Sequence, residues 1–408
     1  MLSSQKEIKE KIHSKIDSKY LFSILEEMIE IDSTLGKEKE LAVYLAERIQ
    51  ELGFAIQLDD VEPNRPNLYA QHSFSKTGKT LTYNGHLDTV EVSGEWTYDP
   101  FMPIFSEEKL FGLGSADMKG GMACQLTAIK ALLDSGEELS GTIHFTAVID
   151  EEGYGMGAKK MLENPVFGKG KTDGVIIAEP LFGDTEKGAL PLGMTGKVLY
   201  KILVKGVSAH AFRPEQGVNA VSDASRIVAI VEEISQTGSS FVGNYKIPHD
   251  FDFGKGSFCV LKIDGGYKTY SVIVPEHCEI ILNRLTLPEE TKESVKNDFE
   301  QLIADLKLKS KVTIEIIPPY YNSYKIPRNH KMFQALETSY KEVIAQNPKT
   351  AYMKMITDAN TFMGEGDIPT VHFGPKGDNL HGADEHVFID TLEKTAKVYT
   401  SFYLNFQY

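Results

Sequence analysis

Cysteine is scarce. The chain has three in 408 residues, Cys124, Cys259 and Cys278, far apart and each in an apolar or strand-like neighbourhood. That spacing argues against a disulfide framework and against a thiolate metal site, and it predicts buried thiols in a reducing compartment. Long hydrophobic runs are missing too: none approaches the ~18 residues that a membrane-spanning helix needs. The first residues, Met1-Leu2-Ser3-Ser4-Gln5-Lys6, hold no apolar core of a secretory signal. Positive charge is in deficit, 43 Lys and Arg against 58 Asp and Glu, for a net charge of -15. Such a field disfavours nucleic acid and anionic membrane surfaces as partners. A local Arg can still hold a small anion. Internal repeats, heptads and low-complexity stretches are absent. The expectation is a cytoplasmic globular protein.

What is present fits a chain that buries a large core: 41% hydrophobic and 25% charged residues. The length predicts two or three domains. Amphipathic helices are expected over 20–31 and 37–52, the second closed by Gly53. Strands are expected over 54–58, 67–71, 81–85, 142–148 and 173–178, with helices over 122–134 and 156–163. This alternation reads as an α/β fold, a mixed sheet with helices on both faces. The pattern changes near residue 193. Strands over 197–204, 257–263, 278–285 and 311–317 and helices over 218–234 and 289–306 give β-α-β-β-α-β, the ferredoxin-like order. Pro318-Pro319 marks a boundary, and a helix, a short strand at 370–373 and a last helix follow. The predicted organisation is a discontinuous domain, 1–192 plus 318–408, interrupted by an insert at 193–317.

Open α/β sheets carry their chemistry beyond the carboxyl ends of their strands. His86, Glu151, Glu152 and Glu179 all lie at or just after such ends. Asp117, in the glycine-rich run 112–121, and His381, beyond the Gly/Pro loop 374–379, complete a set of candidate metal ligands. Imidazole and carboxylate together suit zinc, with cobalt or manganese next. Two divalent ions need a shared ligand, and Asp117, between flexible segments, is the natural bridge. Asp88 follows His86 by two residues, so its carboxylate is placed to hold the other ring N–H. In Glu151-Glu152 one carboxylate can take a metal while its neighbour serves as general base.

The ordered motifs Gly85-His86-Leu87-Asp88-Thr89, Gly114-Ser115-Ala116-Asp117-Met118-Lys119-Gly120-Gly121, Glu151-Glu152-Gly153, Glu179-Pro180 and His381-Gly382-Ala383-Asp384-Glu385 carry a resemblance. The chain resembles the M20 metallopeptidase family, which includes acetylornithine deacetylase, succinyl-diaminopimelate desuccinylase, aminoacylase-1 and glutamate carboxypeptidase. The resemblance implies a zinc-exopeptidase-like catalytic domain with an inserted ferredoxin-like lid and dimerisation domain. It implies two divalent ions, His86 and Glu179 on one, Glu152 and His381 on the other, and Asp117 between them. It further implies Asp88 as partner of His86, Glu151 as general base, and a cis peptide at Asp117–Met118.

Within the insert, His210 in Gly206-Val207-Ser208-Ala209-His210 resembles a lid histidine that supports an oxyanion, often across a homodimer. Arg284 resembles a clamp for a substrate carboxylate, although Asn283 stands where many relatives carry Asp. Lys376 is a further candidate for that carboxylate. The implied reaction is hydrolysis of the amide of an N-acyl amino acid. The alternative is a metallo-dipeptidase or carboxypeptidase acting on short peptides. A metal-binding regulator without hydrolysis would lack the base, and a glycosidase would have no use for His86 and His381.

Overall fold

A computed structural model describes residues 2–180, 189–240, 242–269 and 271–408. They divide into two units: residues 1–192, 326–351 and 357–408 form the first, and residues 193–325 and 352–356 the second.

The first unit is built on a six-stranded sheet. Its order is Ala55–Glu62, Arg65–Ser73, Thr142–Val148, Thr80–His86, Gly174–Ile177, Thr370–His372. The first two pairings are antiparallel and the rest parallel. Successive residues Leu81, Thr82, Tyr83 and Asn84 are all fully buried. Since neighbours on a strand point to opposite faces, both faces of the sheet are covered. The helix Gly120–Asp134 is buried almost all round because it lies among the sheet and the helices Ser18–Glu30 and Ile389–Gln407. Tyr83 locks this packing by donating its hydroxyl to the Tyr399 carbonyl at 3.0 Å. Parallel register then sets the site: His86 lies opposite Val148, and Asn84 opposite Ile177. The chain therefore leaves three adjacent strands at one level, close to His86, Glu151-Glu152 and Glu179.

Short strands escaped the sequence reading. Ile104–Ser106, Lys109–Phe111, Gly377–Asp378 and His386–Phe388 make a small antiparallel sheet. With two or three residues each, they show no periodicity to read. The hairpin from Gly377–Asp378 to His386–Phe388 carries His381 in its loop.

The second unit has a four-stranded antiparallel sheet ordered Ser257–Gly265, His277–Thr286, Gly196–Lys205, Lys311–Tyr321. With the helices Ala220–Thr237 and Lys292–Asp305 this is the ferredoxin-like order. Along Gly196–Lys205 buried and half-buried residues alternate strictly, so only one face meets the core. Asn219 and Thr291 cap the two helices through their side chains. The unit runs to residue 325, past the expected edge at 317. Pro318 and Pro319 lie inside the last strand, which is at the sheet's edge, where a missing N–H costs no ladder bond. Cys124 and Cys278 are buried as expected, whereas Cys259 is exposed on the opposite edge strand.

Candidate metal centre

Two loops and three strand ends of the first unit meet around Asp117. One of its carboxylate oxygens lies 3.1 Å from His86 Nε2 and the other 3.3 Å from His381 Nε2. His86 Nε2 is 3.9 Å from Glu179 Oε1, and His381 Nε2 is 2.8 Å from Glu152 Oε1. Ligand atoms of His86, Asp117 and Glu152 all fall within 4.8 Å of one another, and so do those of His86, Glu151 and Glu179. These are two candidate metal clusters sharing His86. The peptide Asp117–Met118 is cis.

Local packing explains how the carboxylates are aimed. Glycine is required at 121 and 374, where a side chain would run into the backbone of Ala178 and, at 374, of Glu179 as well. Those close approaches clamp the strand end that delivers Glu179. Asp150 takes a left-handed φ of 69° and so turns the chain into Glu151. Its carboxylate accepts from the Tyr154 amide at 3.0 Å and from Arg65 at 3.2 Å, and Arg65 is also paired with buried Glu38 at 2.5 Å.

Asp88 takes different partners from those expected. The Asp88 backbone carbonyl, at 2.8 Å, is what meets His86 Nδ1. Its side chain instead accepts the amides of Glu151 at 3.2 Å and Glu152 at 2.9 Å. The carboxylate therefore orients the acidic pair, while the His86 ring is held by main chain.

Acidic groups dominate the electrostatics. Burial, then the neighbouring Glu179 charge, pushes Glu151 well above the usual carboxylate range. Burial and Asp117 do the same to Glu179. Burial raises Asp88 to about 6 and Asp358 to about 7. For Asp117 burial is outweighed by the two imidazoles, which hold its carboxyl low. Hydrogen bonds to Asp117 and Glu152 raise His381 to about 10. For His86 burial lowers the affinity for a proton, yet Asp117, Glu151 and Glu179 together raise it well above normal. Both imidazoles thus favour a positive charge between themselves and the carboxylates. The donor set, imidazole and carboxylate with excess negative charge, fits divalent cations.

The family model described as Peptidase family M20/M25/M40 matches residues 82–405. The chain belongs to Peptidase family M20/M25/M40. It is a metal-dependent hydrolase of amide or peptide bonds. Among curated M20 relatives is succinyl-diaminopimelate desuccinylase of Hydrogenovibrio crunogenus, 24% identical over 393 residues, 94% of this chain and 97% of that one. The fold is shared with aminopeptidase PepT from Bacillus cereus, with a TM-score of 0.77 and 20% identity over 96% of this chain and 99% of that one. It is also shared with the dipeptidase Dug1p from Saccharomyces cerevisiae, with a TM-score of 0.75 and 17% identity over 98% of both chains.

Three expected substrate contacts fare differently. Arg284 has its partners inside its own unit. It is fully buried within the second unit, paired with Glu290 at 2.5 Å, bonded to the Leu285 carbonyl and placed 4.9 Å over the Phe258 ring. Both terminal nitrogens of the guanidinium therefore have partners inside the unit, while its Nε has none among the described residues. Lys376 is half-buried with its Nζ 4.8 Å over the Phe388 ring. His210 is exposed in the second unit, its Nδ1 accepting the Phe212 amide at 3.2 Å. The sequence reading gave no role to Glu385, Asp358 or Asp150. Glu385 stood inside a motif already singled out, but nothing in the sequence marks a carboxylate as buried. Among the described residues no helix is long and apolar enough to cross a membrane.

Proposed function

We propose that this chain hydrolyses the amide bond of an N-acyl amino acid at a centre of two divalent ions. Asp117, with one carboxylate oxygen toward His86 and the other toward His381, is the observation that carries the reading. In it His86 and Glu179 would hold one ion, Glu152 and His381 the other, and Asp117 would serve both. Zinc is the first choice from the donors, with cobalt or manganese next. Bound ions of this kind lower the pKa of a water between them and polarise a carbonyl.

The protein's own groups do the rest. Glu151 takes a proton from the attacking water as the water oxygen joins the acyl carbon. It returns that proton to the nitrogen as the C–N bond breaks, leaving a carboxylate and an amine. Asp88 keeps Glu151 and Glu152 in their divergent orientations through their amides. Lys376 contributes a positive charge for the substrate carboxylate. His210, from the second unit of a homodimer partner, supports the oxyanion. A metallo-dipeptidase or carboxypeptidase is the second reading. The acidic surroundings favour a substrate with a free ammonium group, as a dipeptide has. The test is a panel of N-acyl amino acids and matched dipeptides, assayed with metal-stripped and with zinc- or cobalt-restored protein. Turnover of acylated substrates only with restored metal supports the first reading, and cleavage of dipeptides alone overturns it in favour of the second.

A further inference from the structure

We infer that Glu385 is a positioning residue for the metal centre, fixing Asp117 and His381 relative to each other through one buried carboxylate. Glu385 is 1% exposed. One of its oxygens accepts the Gly114 amide at 2.8 Å, and the other accepts the amides of Ala116 at 3.0 Å and Asp117 at 2.9 Å. Its own carbonyl accepts the Gly112 amide at 3.0 Å. Side chain and main chain together therefore hold the whole segment 112–117 that presents Asp117.

Glu385 is also four residues beyond His381, and the loop between them needs support. Asn379, His381 and Asp384 have φ of 58°, 60° and 58°, a left-handed backbone that side chains disfavour. Asp384 anchors the loop from outside, accepting the Thr97 amide and hydroxyl, each at 2.8 Å. Glu385 anchors it from inside. One residue thus couples the two loops that supply Asp117 and His381, which a carboxylate serving only as core filling would not do. Replacement by Gln removes the charge and turns an NH2 group toward backbone N–H donors.

The inference rests on the di-metal reading above, and metal affinity tests both separately. Zinc is titrated into the metal-stripped full chain against a chromophoric chelator, with cobalt absorption as a second readout and circular dichroism as a folding control. Outer partners of metal ligands typically contribute 10–100-fold to affinity. Glu385→Gln is expected to remain folded and bind zinc ~10–100-fold more weakly, with a changed cobalt spectrum. Glu385→Asp, which keeps the charge, is expected to recover part of the loss. Asp384→Ala, at a half-buried anchor, is expected to weaken one ion only. Folded Glu385→Gln with unaltered zinc affinity overturns the positioning role. Should Glu385→Gln not fold, folded Glu385→Asp with unaltered zinc affinity and cobalt spectrum overturns it instead, because the shorter carboxylate cannot keep the same three amide bonds. Unsubstituted protein that binds fewer than two ions overturns the reading underneath.

Discussion

Two clusters of charge, one in each unit, are met in opposite ways. In the second unit buried Arg284 and Glu290 neutralise each other. Around Asp117 in the first unit, carboxylates of Asp88, Glu151, Glu152, Glu179 and Asp358 gather with two imidazoles. Lys119, buried close by, gives its ammonium to the Ile31 carbonyl at 2.9 Å. Buried charge is tolerated where it is paired. Pairing inside the protein marks an architectural element, and an unmet deficit of positive charge marks a place built for cations. The pair of Arg284 and Glu290 has the architectural pattern.

The largest expected effect breaks the comparison at its root. Chelation of metal should abolish hydrolysis, and zinc or cobalt should restore it. Chelation without loss of rate would mean that the acidic cluster is not a metal centre. Next comes Glu151→Gln, which should lower kcat by ~10²–10⁴-fold while metal content, read by mass spectrometry, stays at the unsubstituted level. A rate close to the original would remove Glu151 as base.

A substitution in the second unit should do the reverse. Glu290→Gln leaves Arg284 buried and uncompensated, which typically costs 3–5 kcal/mol of stability, about the same here. Denaturant unfolding should register that loss with metal content unchanged. If metal content fell and stability did not, Arg284 would belong with the functional site after all.

The smallest effect concerns neutral histidines behind the acidic cluster. Burial lowers His144 from 6.5 to about 4 and His372 to about 3. The folded chain refuses protons that the unfolded chain accepts, so their contribution is complete above pH 6.5 and is lost as pH falls toward 4. His144→Gln should flatten that decline, by on the order of 3 kcal/mol at its lower end. A metal-stripped sample measured by thermal unfolding separates this term from the metal ligands. An unchanged pH slope would show that His144 is not held neutral.

Some of this was legible in the chain because short-range signals agreed with the final packing. The run 142–148 is apolar or β-branched throughout except at His144, and 81–85 alternates Leu81 and Tyr83 with Thr82 and Asn84, so both read as strands. Helices such as Ser18–Glu30 carry their buried residues at helical spacing. Other features depended on distant partners. Arg284 looks the same in sequence whether it faces substrate or Glu290. The carboxylates of Asp88 and Glu385 look alike until the backbone amides that they accept are in place. Proline at 318 and 319 signalled a boundary only under the assumption of an interior strand.

Residue types, their order and local periodicity determined that imidazoles and carboxylates would end βα-type strands in a two-part α/β chain. Only the folded molecule decided which of them meet. Parallel register brings the ends of Thr80–His86, Thr142–Val148 and Gly174–Ile177 level, and the hairpin loop carries His381 across to Asp117. Proximity and burial are sums over contacts between residues far apart in the chain, and such sums have no local signature in a sequence.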